Sequence, residues 1–96
     1  MAFNDKVFLI TGASSGIGAD AARHLAKLGA KVAIVGRNEK RLSGVADQIK
    51  QSGSAAPLAI VADITKDTDR IVDETIKHFG KLHVLINNAG TVRVMI

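Results

Sequence analysis

The chain contains no cysteine, no tryptophan and no tyrosine, and its only aromatic carbocycles are Phe3, Phe8 and Phe79. Without cysteine there are no disulfides, no thiolate nucleophile and no cysteine-ligated zinc site. With so few aromatic rings, a platform on which nucleic-acid bases stack is not available. Without tyrosine, no mechanism that uses a phenol as its proton donor can run on these residues. No stretch approaches the roughly 20 consecutive apolar residues of a membrane-spanning helix. Asn4, Asp5 and Lys6 interrupt the start, and the apolar run after them is too short for a signal peptide. A cytoplasmic location is the expectation, with organelle matrix or peroxisome left open.

What is present is a chain of 96 residues, 47% hydrophobic and 23% charged, which fits one small globular unit. The net charge of +4 comes from 13 Lys and Arg against 9 Asp and Glu, and residues 1–50 hold the whole excess. A basic half can meet nucleic acid or an anionic small molecule.

Short β-branched runs alternate with helical patterns. Val7 to Ile10, Val32 to Val35, Leu58 to Val61 and Leu82 to Ile86 read as strands. Between them, apolar residues at Ile17, Ala21, Leu25 and Leu28 predict one helix face, closed near Gly29. Asn38 is the expected N-cap of a second helix with Leu42, Val45, Ala46 and Ile49 inward, ending at Gly53. Thr65 or Asp67 caps a third, whose inner face is expected at Val72, Ile76 and Phe79 before Gly80. Continuous apolar strands separated by helices indicate a parallel sheet covered on both faces. The fold class is therefore α/β, the N-terminal portion of a doubly wound (Rossmann) sheet in the order 3-2-1-4. No fifth strand is expected after residue 90, which would leave the fourth strand as an apolar, aggregation-prone edge and the chain marginally stable.

The strongest motif is Thr11-Gly12-Ala13-Ser14-Ser15-Gly16-Ile17-Gly18, between the first strand and the first helix. Gly12 permits a tight turn, Gly16 lets backbone approach a pyrophosphate, and Gly18 allows the helix to pack closely. Ser14 and Ser15 add hydroxyl donors, and the helix start offers free N–H groups to phosphate oxygens. A P-loop is excluded, since no Gly-Lys-Ser/Thr follows. At the end of the second strand, where an acid would accept a ribose 2′-hydroxyl, stands Gly36-Arg37-Asn38, with Lys40 and Arg41 following. Arginine there matches a 2′-phosphate, which favours NADP(H) and leaves NAD(H) as the second choice. Asp63, after the third strand, can accept the exocyclic amine of adenine. Asn87-Asn88-Ala89-Gly90 ends the fourth strand with residues small enough for a ribose to lie against backbone.

Together these residues resemble the short-chain dehydrogenases/reductases, over positions 6 to 90, with members of the 3-oxoacyl-acyl-carrier-protein reductase type as the nearest likeness. The resemblance implies that Gly12, Ser14, Ser15, Gly16, Ile17 and Gly18 line the pyrophosphate and adenine ribose. It implies that Arg37 meets the 2′-phosphate, Asp63 and Ile64 hold adenine, and Asn88, Ala89 and Gly90 flank the ribose and nicotinamide. Asn87 is expected to hold the sheet together. The implied activity is hydride transfer between the nicotinamide cofactor and a small carbonyl or alcohol substrate, in a parent that forms a homo-oligomer.

The family places a serine and then Tyr-x-x-x-Lys downstream, and here no tyrosine exists and no serine follows Ser54. The expectation is accordingly a cofactor-binding N-terminal part (1–96) with no catalytic residue, weak dinucleotide binding at most and no turnover. The alternatives are a non-catalytic truncated isoform or binding module and, less well matched, a class I methyltransferase fragment, which needs an acid where Gly36 stands. His24, His78 and His83 fall on separate elements without ligand spacing, so no metal site is assigned. The basic residues collect where a phosphate is already expected, so nucleic acid is not.

Overall fold

Val7, Phe8, Leu9 and Ile10 all lie below 7% exposure, because the strand they form is buried on both of its faces. The computed structural model describes residues 2–88 and 91–94. Its elements run β1 (Val7–Thr11), α1 (Gly16–Lys27), β2 (Lys31–Gly36), α2 (Glu39–Gln51), β3 (Leu58–Val61), α3 (Thr68–Phe79), β4 (Val84–Asn87) and β5 (Thr91–Val94). The sheet order is β3-β2-β1-β4-β5. The first four strands are mutually parallel and in the expected 3-2-1-4 arrangement, with β1 paired to β2 and to β4.

The core is split by the sheet. On one face Phe8, Ile10, Val32 and Ile34 meet the inner sides of α1 and α2. On the other Val7, Leu9, Ala33, Val35 and Ile60 meet Ile71 of α3. Leu42 and Ile49 of α2 are each 1% exposed, and burying such a side chain is worth about 1.5–3 kcal/mol. Asn38 caps α2 as expected, its Oδ1 accepting the Arg41 N–H at 3.0 Å. The α2 inner face is also the expected one.

Three features differ from the sequence reading. First, α1 turns a different side inward: Gly18, Ala19, Ala22 and Ala26 are buried, while Ile17 is 79% exposed. Gly18 lets the start of the helix lie against the Gly12 carbonyl, and the alanines that follow are buried in the core. Second, α3 buries Ile71 and Thr75, and Ile76 points outward at 42% exposure. The Thr75 hydroxyl donates to the Ile71 carbonyl at 2.8 Å, which lets a polar residue sit inside without an unpaired group. Third, β4 does not end the sheet, because Thr91–Val94 pairs with it antiparallel, Asn87 opposite Thr91 and Val84 opposite Val94. Three of the four residues of Thr91-Val92-Arg93-Val94 are β-branched, which favours an extended strand, and the backbone groups of β4 expected to be open are paired on both sides. β4 itself is half-buried along its length.

Candidate functional site

The C-terminal ends of β1, β2 and β3 open together on one edge of the sheet. Gly12 and Gly16 hold φ of +63° and +59°, a region in which a side chain is strained. They turn the chain twice between β1 and α1. Three contacts fasten that loop. The Ala13 N–H donates to the Val35 carbonyl at 2.9 Å, tying it to β2. Gly36 leaves room for Ser14, since a Cβ at Gly36 would lie 3.0 Å from the Ser14 Cβ and 3.2 Å from its hydroxyl oxygen. Gly18 lies directly on the loop, where a Cβ would run into the Gly12 carbonyl. A Cβ at Gly16, by contrast, would meet nothing within 4 Å, so that position opens outward.

Ser15 stands at the N-cap of α1 without a capping bond from its side chain, and no acid occupies the first turn. The first-turn N–H groups and the positive end of the helix dipole are therefore uncompensated by side chains there. An anion with several oxygens suits such a position.

Between this loop and the ends of β2 and β3 lies a cleft of about 460 Å³. Gly12, Ser14 and Ser15 form one wall, Val35, Gly36, Arg37 and Asn38 a second, and Ala62, Asp63, Ile64 and Thr65 a third. Its size is in the range of small-molecule sites. Of the residues expected to bind, Gly12, Ser14, Ser15, Arg37, Asp63 and Ile64 line it directly. Gly16, Ile17 and Gly18 sit on the loop and helix start that shape it, Ile17 exposed and Gly18 buried. Asn88 lies beside Gly12, whose carbonyl accepts from its Nδ2 at 3.4 Å. Ala89 and Gly90 lie outside the described residues.

Charge is divided across the cleft. Asp63 Oδ1 accepts both the Thr65 hydroxyl at 2.6 Å and the Thr65 N–H at 2.9 Å. These bonds, side chain first and then backbone, hold the carboxyl below its ordinary value; partial desolvation opposes them and the positive charges of Arg37 and Lys66 add to them. Asp63 is thus an anion with one oxygen occupied, held in place by the turn it makes. Arg37 forms no hydrogen bond or ion pair among the described residues and is exposed. A guanidinium with all its donors free at the rim of a cleft can grip a dianion by two parallel bonds.

Thr65, expected from the sequence only as one of two N-cap candidates for α3, lies on the cleft instead, while Asp67 takes the cap position; the spacing Asp63-x-Thr65 is that of a side-chain-to-backbone turn. Val35 and Ala62 also line the cleft, and no motif advertises them. Among the described residues no group of three or more His, Asp or Glu is placed to hold a metal ion. No helix is long and apolar enough to cross a membrane.

The short chain dehydrogenase family matches residues 6–95. The chain is 50% identical over 93 residues to 11-beta-hydroxysteroid dehydrogenase-like 2 of Arabidopsis thaliana, a match covering 95% of this chain and 30% of that protein. Glucose dehydrogenase of Caenorhabditis elegans in its apo-form superposes with a TM-score of 0.88 at 43% identity, over 95% of this chain and 40% of that one. A metagenomic short-chain oxidoreductase solved in complex with NADP superposes with a TM-score of 0.85 at 31% identity, over 95% of this chain and 42% of that one. The chain spans less than half the length of each of these three.

Proposed function

Since the chain belongs to the short-chain dehydrogenase family, we propose that its cleft binds NADP(H) as the cofactor-holding portion of an oxidoreductase. When bound, the nicotinamide supplies hydride transfer to or from a carbonyl or alcohol carbon. The residues of this chain do the holding. The loop from Gly12 to Gly18 and the start of α1 receive the pyrophosphate, with the Ser14 and Ser15 hydroxyls as added donors. Asp63 accepts the adenine amine on the oxygen that Thr65 leaves free, and Ile64 lies against the ring. Asn88, with Ala89 and Gly90, flanks the ribose on the nicotinamide side.

The observation that carries the NADP(H) reading is Arg37: an exposed guanidinium without a protein partner among the described residues, at the end of β2, where no acid stands. The neighbour solved with NADP supports the cofactor class. NMR titration of the 15N-labelled chain with NADP+ and with NAD+, at millimolar dinucleotide, tests it. The expected result is a larger shift of the Arg37 and Ser14 amides and an affinity about tenfold or more higher with NADP+. Equal affinities would remove Arg37 from the role.

The second half of the reading is that these 96 residues bind without turning over. They include no tyrosine, and no serine after Ser54, so the proton-donating pair of the family's chemistry is not among them. NADPH-dependent reduction of any carbonyl by the purified chain, above a blank without protein, would overturn this.

A further inference from the structure

Val7 is fully buried, and its N–H donates not to a carbonyl but to Nδ1 of His83, at 2.9 Å. The return bond runs from the His83 N–H to the Val7 carbonyl at 3.0 Å. Two bonds between the same two residues, 76 positions apart, thus fasten the start of β1 to the residue just before β4. The second is ordinary sheet pairing, and the first is not. A buried N–H without an acceptor is costly, and here the acceptor is a nitrogen that titrates near neutral pH. An imidazole that accepts at Nδ1 must carry its one proton on Nε2.

We propose that His83 is an acid-sensitive latch: it holds the first residue of β1 to the approach of β4 while neutral, and releases it when Nδ1 takes a proton. An Nδ1–H would face the Val7 N–H donor to donor, so the closed arrangement and the imidazolium exclude each other. The surrounding charges act in the same direction. Lys6, on the segment leading into β1, and Lys81, on the turn after α3, both disfavour the imidazolium, after the larger effect of desolvation. Asp5, the carboxylate next to Lys6, pairs with Lys31 at 3.7 Å. His78, on α3, packs its ring against Phe79. The latch lies at the end of the strands opposite the cleft, so it can open without touching any residue assigned to cofactor.

The imidazole therefore binds a proton more readily when the latch is open. Opening should grow up to about tenfold for each pH unit below about 6.5. Amide hydrogen exchange of the full chain between pH 7.5 and 5 reads this at Val7 (pH limits chosen about the ordinary histidine value). The expected result is a protection factor at Val7 that falls with pH relative to that at Ile34 in β2. In His83→Asn the carboxamide oxygen occupies the place of Nδ1 and does not titrate, so Val7 protection should become independent of pH. An equal slope in both proteins, or no slope in the wild type, would overturn the latch. Should His83→Asn not fold, 15N shifts of the imidazole in the wild type decide: an Nδ1 without a proton at neutral pH supports the latch, and a protonated Nδ1 there refutes it.

Discussion

The Thr11 hydroxyl donates to the Asn87 side-chain oxygen at 3.0 Å and accepts the Asn88 N–H at 3.3 Å, joining the ends of β1 and β4. Thr11 is 1% exposed, so this hydroxyl is spent on the protein and faces no ligand. It fixes where Asn88 stands beside Gly12, and through Gly12 the first turn of the loop. Thr11→Val keeps the shape and removes both bonds. The expected loss is about 1–3 kcal/mol of stability, which lowers the melting temperature by roughly 4–8 °C per kcal/mol in a chain this small. Thr11→Ser should retain most of the bonding and lose less. A valine variant as stable as the parent in a denaturant melt would show that the pair is incidental.

Glycine is required in one helix of this fold and wasteful in another. A Cβ at Gly18 would enter the Gly12 carbonyl, which is backbone and cannot rotate aside. Gly18→Ala should therefore lose about 1–3 kcal/mol and disturb the loop amides in an NMR spectrum. Gly44 lies exposed inside α2, where a Cβ would meet nothing within 4 Å. Gly44→Ala should gain about 0.5–1 kcal/mol, because alanine loses less backbone freedom on folding. Equal effects at the two positions in urea unfolding would contradict the packing described at Gly18.

The spacing of Gly12, Gly16 and Gly18 after an apolar run placed the loop, and the four apolar runs placed the parallel strands, because both depend on local chemistry. The places of Arg37 and Asp63 on the cleft were legible for the same reason, since each follows closely on a strand end. The inward face of α1 was not. Hydropathy ranks Ile17 above Ala19 and Ala22, but the close approach that Gly18 permits selects the small residues for the interface, with Leu25 packed at its margin. Thr75 hid the inner face of α3 in the same way, since its hydroxyl is satisfied within the helix. The bond from Val7 to His83 joins residues at opposite ends of the chain, and a lone histidine before a strand carries no pattern that announces it. The strand at Thr91–Val94 did have a signal, three β-branched residues in four, which was too short to announce a strand by itself.

Asp63 should give the site a dependence on acid. Its carboxyl is held below the ordinary value of 3.8 by the hydrogen bonds from Thr65. A folded form that favours the anion binds fewer protons than the unfolded chain, so the stability it contributes is fully present above about 3.8. It is lost as pH falls from there through the lowered value. Asp63→Asn keeps an oxygen for the Thr65 bonds but cannot ionise. The variant should lack that contribution near neutrality and show a flatter loss of stability below pH 4, so that the two proteins converge in acid, in urea melts across that range (the window follows from the ordinary aspartate value). A parent and variant with superimposable acid limbs would mean that the turn does not sense the charge.

Arg37 offers the sharpest test of cofactor choice, sharper than its neighbour Gly36. An acid at Gly36 would be the obvious way to recruit a free ribose, but its Cβ alone would lie 3.0 Å from Ser14. Any change in affinity would then mix a new carboxylate with a displaced serine. Arg37 is exposed and forms no hydrogen bond or ion pair among the described residues, so its removal should leave the fold intact; its remaining influence within the protein is the charge it sets near Asp63, which acts on both dinucleotides alike. A charge-assisted bond to a phosphate is worth about 1.5–3 kcal/mol, or about 10- to 100-fold in affinity. Arg37→Ala should lose that factor for NADP+ and almost none for NAD+, and Arg37→Lys should recover part of it as a point charge without the paired geometry. Calorimetric or NMR titration of the three proteins with both dinucleotides measures the discrimination directly. If Arg37→Ala weakens both dinucleotides equally, the guanidinium serves the pyrophosphate or the general field of the cleft, and the preference for a 2′-phosphate must be sought at Lys40 or Arg41.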